Sequence, residues 1–255
     1  MKTVILAGGM GTRISEETVL RPKPMVAVGE WPILVHIMMI YSYHGYNDFV
    51  IACGYKSEVI KEYFLNFRHH NSDLYIDLGQ GEVKTRNAQV PDWKIACVET
   101  GSDTMTGCRL RRLKPLLSGE RFMVTYGDAV ANIDIAALVA FHESHGKLAT
   151  VTAVRPPARF GALHLSGSSV TGFDEKSPTD VGWINGGFFV FETDVLDLID
   201  GDGTKLETDP MLRLVAANQL EAYCHDEFWQ PMDTLRERNI LNELWISGDA
   251  PWKVW

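Results

Sequence analysis

The stretch that decides the fold is residues 1–25, MKTVILAGGMGTRISEETVLRPKPM. It opens with the apolar run Thr3–Ala7, which is typical of a strand buried on both faces of a parallel sheet. Gly8, Gly9 and Gly11 follow, and glycine lets main-chain N–H groups approach a ligand closely. Because open α/β sheets bind ligands at the carboxyl ends of their strands, the stretch predicts a binding loop directly after the first strand.

Two basic side chains follow these glycines. Arg13 offers a planar guanidinium that suits phosphate oxygens, and Lys23 stands between two prolines that restrict its backbone. Position 14 is isoleucine, so the G-x-G-x-x-G dinucleotide fingerprint is absent, and no G-K-[ST] of a Walker A loop is present. The combination favours a polyphosphate held by main-chain groups, with the two cations on separate phosphates; a plain strand-to-helix turn is the alternative.

Strand and helix patterns alternate along the rest of the chain. Strand patterns occur at 48–53, 121–126 and 148–154, and helical patterns occur at 32–44, 57–67 and 134–145. The polar segment 68–105 indicates a small antiparallel excursion or long loops, and the alternating segment 159–192 indicates a second antiparallel set. The order predicts an α/β, Rossmann-like fold, with a mixed, mostly parallel sheet flanked by helices and smaller antiparallel excursions.

Composition narrows the class of partner. The net charge of −9 weighs against a nucleic acid or an anionic membrane surface. The four cysteines form no C-x-x-C pair, which favours reduced thiols in a cytoplasmic protein. We find no signal-peptide pattern, and no apolar run approaches the roughly 20 residues that a membrane span requires. We therefore expect a cytoplasmic protein with neither a nucleic-acid nor a membrane partner.

Several segments together resemble the sugar-phosphate nucleotidyltransferases. LAGGMGTR followed by RPKPM is similar to the signature of that superfamily. SEETVLRPKPM, TMTGCRLRR, WINGGFFVF and FWQPMDTLRE resemble segments of the glucose-1-phosphate cytidylyltransferases. The resemblance implies transfer of a cytidylyl group from CTP to glucose 1-phosphate by in-line, Mg²⁺-assisted attack, with CDP-glucose and pyrophosphate as products.

Two alternatives remain open beside this function. The first is the same chemistry with another nucleotide, UTP or dTTP, or with another hexose 1-phosphate. The second is an inactive homologue that binds a sugar nucleotide. Cys108, Ala129 and Trp31 depart from the residues expected in the family, and these departures bear mainly on the choice of sugar.

Two aspartates are the candidate metal ligands. Asp128 follows a buried strand pattern, where a turn residue is the alternative, and Asp233 stands where a helix pattern begins, where an N-cap is the alternative. The resemblance implies that both bind Mg²⁺. Such a cation takes one or two carboxylates, with phosphate oxygens and water completing its coordination.

The resemblance also assigns roles to the other candidate residues. Arg13 and Lys23 are the candidate catalytic residues, on the leaving pyrophosphate and on the reacting phosphates respectively. The nucleotide-binding candidates are Leu6, Gly8, Gly9, Gly11, Thr12, Arg13, Ser15, Thr106, Gly107 and Arg109. The sugar-phosphate-binding candidates are Lys23, Glu175, Lys176, Asn185, Gly186 and Gly187.

Residues 1–255 are predicted to form a single nucleotidyltransferase domain. Within it, 1–67 and 106–155 form the nucleotide-binding core, 68–105 is an insertion, and 156–255 forms the sugar-phosphate-binding part and C-terminal helix. Trp229, Trp245, Trp252 and Trp255 are predicted to pack around that helix or at a subunit contact. The resemblance further implies a homo-oligomer such as a hexamer, and a role in O-antigen biosynthesis.

Overall fold

The structure is a computed structural model that describes residues 1–117, 119–157, 162–166, 168–174 and 182–255. Its strands are β1 (Lys2–Leu6), β2 (Ala27–Val28), β3 (Trp31–Pro32), β4 (Asp48–Cys53), β5 (Asp73–Asp77), β6 (Glu82–Arg86), β7 (Lys94–Glu99), β8 (Phe122–Tyr126), β9 (Ala129–Ala131), β10 (Ala149–Val154), β11 (Ala162–Ser166), β12 (Ser169–Asp174), β13 (Ile184–Phe191), β14 (Leu220–His225) and β15 (Trp229–Pro231). Its helices are α1 (Ser15–Thr18), α2 (Ile33–Tyr43), α3 (Ser57–His70), α4 (Thr106–Arg112), α5 (Lys114–Leu117), α6 (Ile135–His145), α7 (Asp209–Ala216) and α8 (Leu235–Ser247).

A seven-stranded sheet forms the centre of the fold, in the order β14-β10-β13-β8-β1-β4-β7. The neighbours β8, β1, β4 and β7 run parallel, as do β10 and β14, whereas β13 runs antiparallel to β8 and β10. Among the described residues, four separate two-stranded pairs lie outside this sheet: β2–β3, β5–β6, β9–β15 and β11–β12. The predicted fold class is therefore confirmed.

The first strand is buried on both faces, which explains its unbroken apolar sequence. Ile5 belongs to a core cluster that includes Ile33 from α2. Its neighbours Val4 and Leu6 belong to a second cluster that includes Leu110 from α4. Since successive strand residues point to opposite sides, the strand packs between two layers, and its carboxyl end is held rigidly where the glycine loop begins.

The segment 68–105 differs in part from the prediction. The hairpin β5–β6 is the expected antiparallel excursion. However, β7 belongs to the central sheet, where it pairs in parallel with β4 from Asp48↔Lys94 to Cys53↔Glu99. The run of four apolar residues in β7, 95–98, is flanked by charged residues within a polar segment, and none of the four is fully buried at this edge of the sheet. The expectation of a small antiparallel excursion or long loops in 68–105 is therefore incomplete, because β7 is a parallel strand of the central sheet.

No helix within the described residues has both the length and the apolar character needed to cross a membrane.

Candidate active site

An open cleft of about 510 Å³ lies at the carboxyl ends of β1 and β8. It brings together most of the residues that the sequence analysis singled out. Those that line it are Leu6, Gly8, Gly9, Gly11, Thr12, Arg13, Lys23, Thr106, Arg109, Asp128, Asn185 and Asp233. The position matches the edge at which open α/β sheets bind ligands.

The glycine loop requires glycine most clearly at position 11. Gly11 adopts φ 63°, and a Cβ there would lie 2.7 Å from Cγ2 of Thr18 and 3.1 Å from Cβ of Lys23. The Gly11 carbonyl accepts hydrogen bonds from the Thr18 hydroxyl and from the N–H of Ile14, both at 3.1 Å. The loop therefore turns tightly over the segment that carries Lys23.

The Lys23 side chain reaches the cleft from a 3₁₀ turn, Lys23–Met25, that packs onto the sheet edge. Pro22 precedes the turn in an extended conformation. Pro24 lies against Gly127, where a Cβ would be 2.9 Å from the proline Cγ and 3.0 Å from the Leu6 carbonyl. This packing holds the turn that carries Lys23 against Gly127, the residue that precedes Asp128.

The two candidate metal ligands come together through a pair of very short strands. β9 and β15 pair antiparallel, with Pro231 opposite Ala129, and the N–H of Met232 donates to the Asp128 carbonyl at 2.8 Å. The pairing joins the chain after β8 to the chain before α8. Asp128 and Asp233 flank this junction and both face the cleft.

Asp233 is not the N-cap of α8. Thr234 holds that position, and its hydroxyl accepts from the N–H of Glu237 at 3.3 Å. The Glu237 carboxylate accepts in turn from the N–H groups of Asp233 at 2.8 Å and Thr234 at 3.0 Å. This capping box satisfies the helix start and leaves the Asp233 carboxylate available to the cleft.

Two cations and two carboxylates meet in the cleft. The Lys23 Nζ lies 2.6 Å from Oδ2 of Asp128 and 2.6 Å from Oδ1 of Asp233. Nη1 of Arg13 lies 2.5 Å from Oδ2 of Asp233. The Lys23 side chain is 8% exposed, whereas that of Arg13 is 71% exposed. The lysine charge is thus buried inside the site, and the arginine charge is exposed at its mouth.

The same arrangement suits a divalent cation. Both carboxylates direct an oxygen at one point, which the lysine ammonium occupies here. Within the described residues no group of three or more His, Cys, Asp or Glu side chains could hold a metal ion. Two carboxylates alone suit Mg²⁺, because that ion keeps several positions for phosphate and water oxygens.

Arg109 is buried against the glycine loop, where it also lines the cleft. Its Nη1 donates to the Gly101 carbonyl at 2.6 Å and to the Thr100 hydroxyl at 2.8 Å, while Nη2 donates to the carbonyls of Gly8 at 3.0 Å and Ser102 at 3.2 Å. Burial lowers the pKa of Arg109, and the positive charge of a neighbouring arginine lowers it further. The guanidinium therefore fixes several loops at the sheet edge in one arrangement.

The other end of the cleft is formed by the start of β13. Gly187 adopts φ 82°, and a Cβ there would lie 2.4 Å from Cδ2 of Tyr126. The Gly187 N–H donates to Oδ1 of Asn185 at 2.8 Å, and the indole N–H of Trp229 donates to the Gly186 carbonyl at 2.8 Å. Asn185 lines the cleft, and its side chain is held in place by the hydrogen bond from the Gly187 N–H.

The predicted site residues of the described chain that do not line the cleft are Ser15, Gly107, Gly186 and Gly187. A Cβ on Gly107 would lie 2.8 Å from the Thr204 carbonyl, so this glycine permits close packing of α4 on the chain near Thr204. Glu175 and Lys176 lie outside the described residues.

The cleft also contains residues that the sequence analysis missed. Thr104, Tyr126 and Trp229 line it. Tyr126 stands two residues before Asp128, and that proximity was the available signal. Trp229 was predicted to pack around the C-terminal helix or at a subunit contact; it packs against the core cluster that includes Leu241 of α8, and it also lines the cleft. Trp252 packs on the same helix, because its ring stacks on Trp245 of α8 with centroids 6.4 Å apart.

Of the three departures from the family pattern, one faces this site. Ala129 lines the cleft. The Cys108 thiol points to Asp202, at 2.6 Å from its carboxylate, and the Trp31 ring packs against Trp245 with centroids 5.9 Å apart. Cys108 and Trp31 therefore make contacts away from the candidate ligands.

Comparisons with known proteins agree with this geometry. The nucleotidyl transferase family matches residues 2–235. Glucose-1-phosphate cytidylyltransferases of Salmonella typhi and Salmonella typhimurium are each 50% identical over 256 residues, covering 100% of both chains. A solved UDP-glucose pyrophosphorylase from Acinetobacter baumanii shares the fold, with a TM-score of 0.69 and 16% identity over 94% of this chain and 91% of that one. The chain belongs to the nucleotidyl transferase family and, within it, to the glucose-1-phosphate cytidylyltransferases.

Proposed function

We propose that the chain transfers a cytidylyl group from CTP to glucose 1-phosphate and releases CDP-glucose and pyrophosphate. The observation that carries the proposal is the convergence of the glycine loop, Arg13, Lys23, Asp128 and Asp233 in one cleft. Relatives with this activity in their names match the full length of the chain at 50% identity. The cleft thus combines an anion-binding loop with fixed charges of both signs.

The reaction needs positioning and charge stabilisation more than a protein nucleophile. The attacking group is an oxygen of the sugar phosphate, which is already anionic at neutral pH. It forms a bond to the α-phosphorus of CTP while the bond from that phosphorus to the β-phosphate oxygen breaks, and the electron pair leaves with pyrophosphate. Catalysis of this kind rests on alignment and on preorganised positive charge.

Arg13 and Lys23 serve different phosphates in this scheme. Lys23 is buried at the centre of the site, where it neutralises the α-phosphate and the incoming sugar phosphate. Arg13 is exposed at the mouth, where it binds the β- and γ-phosphates that leave as pyrophosphate. Main-chain N–H groups of the glycine loop add donors along the triphosphate.

Asp128 and Asp233 would hold Mg²⁺ at the point on which their carboxylates converge. The bound ion would offset the negative charge that accumulates on the phosphates during transfer. The ammonium of Lys23 supports the assignment, because it shows that this point attracts positive charge. On this proposal the lysine turns toward the phosphates when substrate and metal are present.

Cytosine is the base that this cleft suits best. Its amino group donates, and we propose that a carbonyl at the end of β1, that of Leu6 or Ala7, accepts from it, with Arg109 beside it. The Gly8 carbonyl is already occupied, because it accepts from Arg109 Nη2 and from the Tyr55 N–H. Uracil and thymine present a carbonyl in place of the amino group, so that two carbonyls would face each other unpaired. They also present an N–H at N3, where cytosine offers an acceptor to Arg109. Two such mismatches, at roughly 1–3 kcal/mol each, predict about 10²- to 10⁴-fold discrimination in kcat/KM.

The test is pyrophosphate release from CTP, UTP, dTTP and ATP, each with glucose 1-phosphate. We expect CTP to lead, UTP to trail, and dTTP and ATP to be poor substrates. Equal use of UTP and CTP would contradict the base assignment. Activity of CTP with a different hexose 1-phosphate alone would keep the nucleotide and replace the sugar.

The inactive-homologue alternative makes the opposite prediction for the same assay. Such a protein would bind CDP-glucose and release no pyrophosphate with any nucleotide. Arg13, Lys23, Asp128 and Asp233 are all in the cleft, and this argues for an active enzyme.

We also propose that the protein is a homo-oligomer, such as a hexamer. The hairpin β5–β6 supports this, because its apolar residues Leu74, Tyr75, Ile76, Leu78 and Val83 are exposed. A lone two-stranded hairpin is marginally stable in water, so burial against a second copy would stabilise it. Light scattering gives the assembly size, and Leu78→Asp with Val83→Asp should reduce it.

A cytoplasmic location and a role in O-antigen biosynthesis complete the proposal. The four cysteines are free thiols, which suits a reducing compartment. Fractionation of cells that produce the protein tests the location. Loss of O-antigen after disruption of its gene tests the role.

A further inference from the structure

The carboxylate of Glu207 accepts hydrogen bonds from two hydroxyl groups that line the cleft. Oε1 accepts from the Tyr126 hydroxyl at 2.6 Å, and Oε2 accepts from the Thr106 hydroxyl at 2.7 Å. Glu207 lies between Leu198 and α7, in a loop that packs on the start of α4. It therefore joins the side of the cleft formed by α4 to the side formed by the end of β8.

Neighbouring groups fix the direction of both hydrogen bonds. The Thr106 oxygen already accepts from the Leu206 N–H at 2.9 Å, so its own proton is free to point at Glu207. The Tyr126 oxygen accepts from Nδ2 of Asn185 at 3.1 Å, so its proton also points at Glu207. A carboxylate can only accept, and it is the group that holds two such donors at once.

The chain of hydrogen bonds continues from Tyr126 to the start of β13, and the direction of each bond follows from the one before it. Because Nδ2 of Asn185 donates to the tyrosine, its Oδ1 is left to accept from the Gly187 N–H. The tyrosine ring lies against Gly187, which leaves no room for a side chain there. Burial and the nearby Glu207 raise the pKa of Tyr126, which keeps its hydroxyl protonated as a donor.

We propose that Glu207 is a positioning residue of this active site, which acts through Tyr126 to fix Asn185 and Gly187 against the sugar of the sugar 1-phosphate. The inference rests on the proposed function, since that function places the sugar at this end of the cleft. The contact to Thr106 ties the same carboxylate to the nucleotide side. Glu207 thereby holds Thr106 on one side of the cleft and Tyr126 on the other in a fixed relative position.

The matched change is Glu207→Gln, which keeps the shape and removes the second acceptor. Its amide group would present an N–H to one of two hydroxyls that both donate. If the tyrosine accepts from it, Asn185 must turn over and the Gly187 N–H loses its partner. We expect the KM for glucose 1-phosphate to rise about tenfold, with kcat changed less than about threefold.

A double-mutant cycle tests the route through the tyrosine. Tyr126→Phe removes the hydroxyl and keeps the ring against Gly187. We expect it to raise the same KM, and we expect Glu207→Gln to add no further increase in the Tyr126→Phe background. The control is Asp200→Asn, an exposed carboxylate of the same loop that pairs with Arg213 and should leave both KM values unchanged.

Four results would overturn the inference. They are an unchanged sugar KM in Glu207→Gln, full additivity in the double mutant, a selective rise in the KM for CTP, or equal rises in both KM values together with a lower Tm. Calorimetric binding of CDP-glucose provides a readout without turnover. A wild type that binds CDP-glucose but releases no pyrophosphate would refute the proposed function, and weaker binding by Glu207→Gln would still support this role.

Discussion

The carboxylates of Asp128 and Asp233 converge because hydrogen bonding joins their chain segments directly beside them. The N–H of Met232 donates to the Asp128 carbonyl, and the pair β9–β15 continues from that bond. Both carboxylates then reach the Lys23 ammonium at 2.6 Å. The fold thus brings together two carboxylates that are far apart in the sequence.

The first prediction concerns metal binding by these aspartates. Asp128→Asn and Asp233→Asn each remove a charged ligand while keeping the shape of the side chain. Each should lower turnover by about 10²-fold or more, because charge stabilisation of the transferring phosphate is lost. Turnover is measured against Mg²⁺ concentration. EDTA should abolish wild-type activity, and a variant of either residue with near wild-type turnover would remove that residue from the metal site.

The second prediction separates the two cations. Lys23→Ala should raise the KM for glucose 1-phosphate more than the KM for CTP, since the buried lysine lies at the centre of the site. Arg13→Ala should raise the KM for CTP more, since the exposed arginine lies at the mouth. Both should lower kcat. Steady-state kinetics with each substrate varied in turn gives the four KM values, and a rise confined to CTP in Lys23→Ala would show that its assigned role is wrong.

The sequence was informative where burial is complete and the chain segment is long. The run at β1 is apolar because both faces are covered, and its glycines follow where the chain must turn, so the fold and loop were predictable together. The edge strand β7 was missed because its four apolar residues, 95–98, stand within a polar segment and none of its six residues is fully buried. Periodicity detects burial, and an edge strand carries little of that signal.

The site could be predicted only as separate residues. Asp128 and Asp233 had a turn and an N-cap as alternatives, and only the resemblance favoured metal binding. The strands that bring them together have three residues each, which is too short for any periodic pattern. The place of Trp229 in the cleft was missed for the same reason, because β15 carries its indole to the Gly186 carbonyl.

The third prediction concerns the stability of the C-terminal packing. His36 is fully buried, with Nε2 donating to the Val28 carbonyl at 2.9 Å and Nδ1 accepting from Trp252. Burial lowers the pKa of His36 from 6.5 to about 4. Between these pH values the unfolded chain binds a proton that the native protein does not. The free energy of unfolding should therefore fall as pH drops from 6.5 toward 4, by about 3 kcal/mol in total.

The control for this prediction is His36→Gln, which can still donate and accept but does not titrate. Chemical denaturation of both proteins at several pH values between 7.5 and 4 gives the comparison. All other titrating groups are shared, so the difference between the two curves reports His36 alone. If the wild type and the variant lose stability in parallel as the pH falls, His36 contributes nothing to the acid sensitivity.

The last prediction concerns Arg109. Its guanidinium holds the carbonyls of Gly8, Gly101 and Ser102 at the same time, and Arg109→Lys places one ammonium where several directed N–H groups are needed. Buried carbonyls left without a partner cost roughly 1–3 kcal/mol each, so Tm should fall by about 5–10 °C. The KM for CTP should rise because the Gly8 loop loses its support.

Arg111→Lys, an exposed change on the same helix, should alter neither quantity. Calorimetry and kinetics with CTP and UTP decide the matter: an unchanged Tm would refute the loop-holding role, whereas a changed CTP-to-UTP ratio would show that the same guanidinium also reads the base.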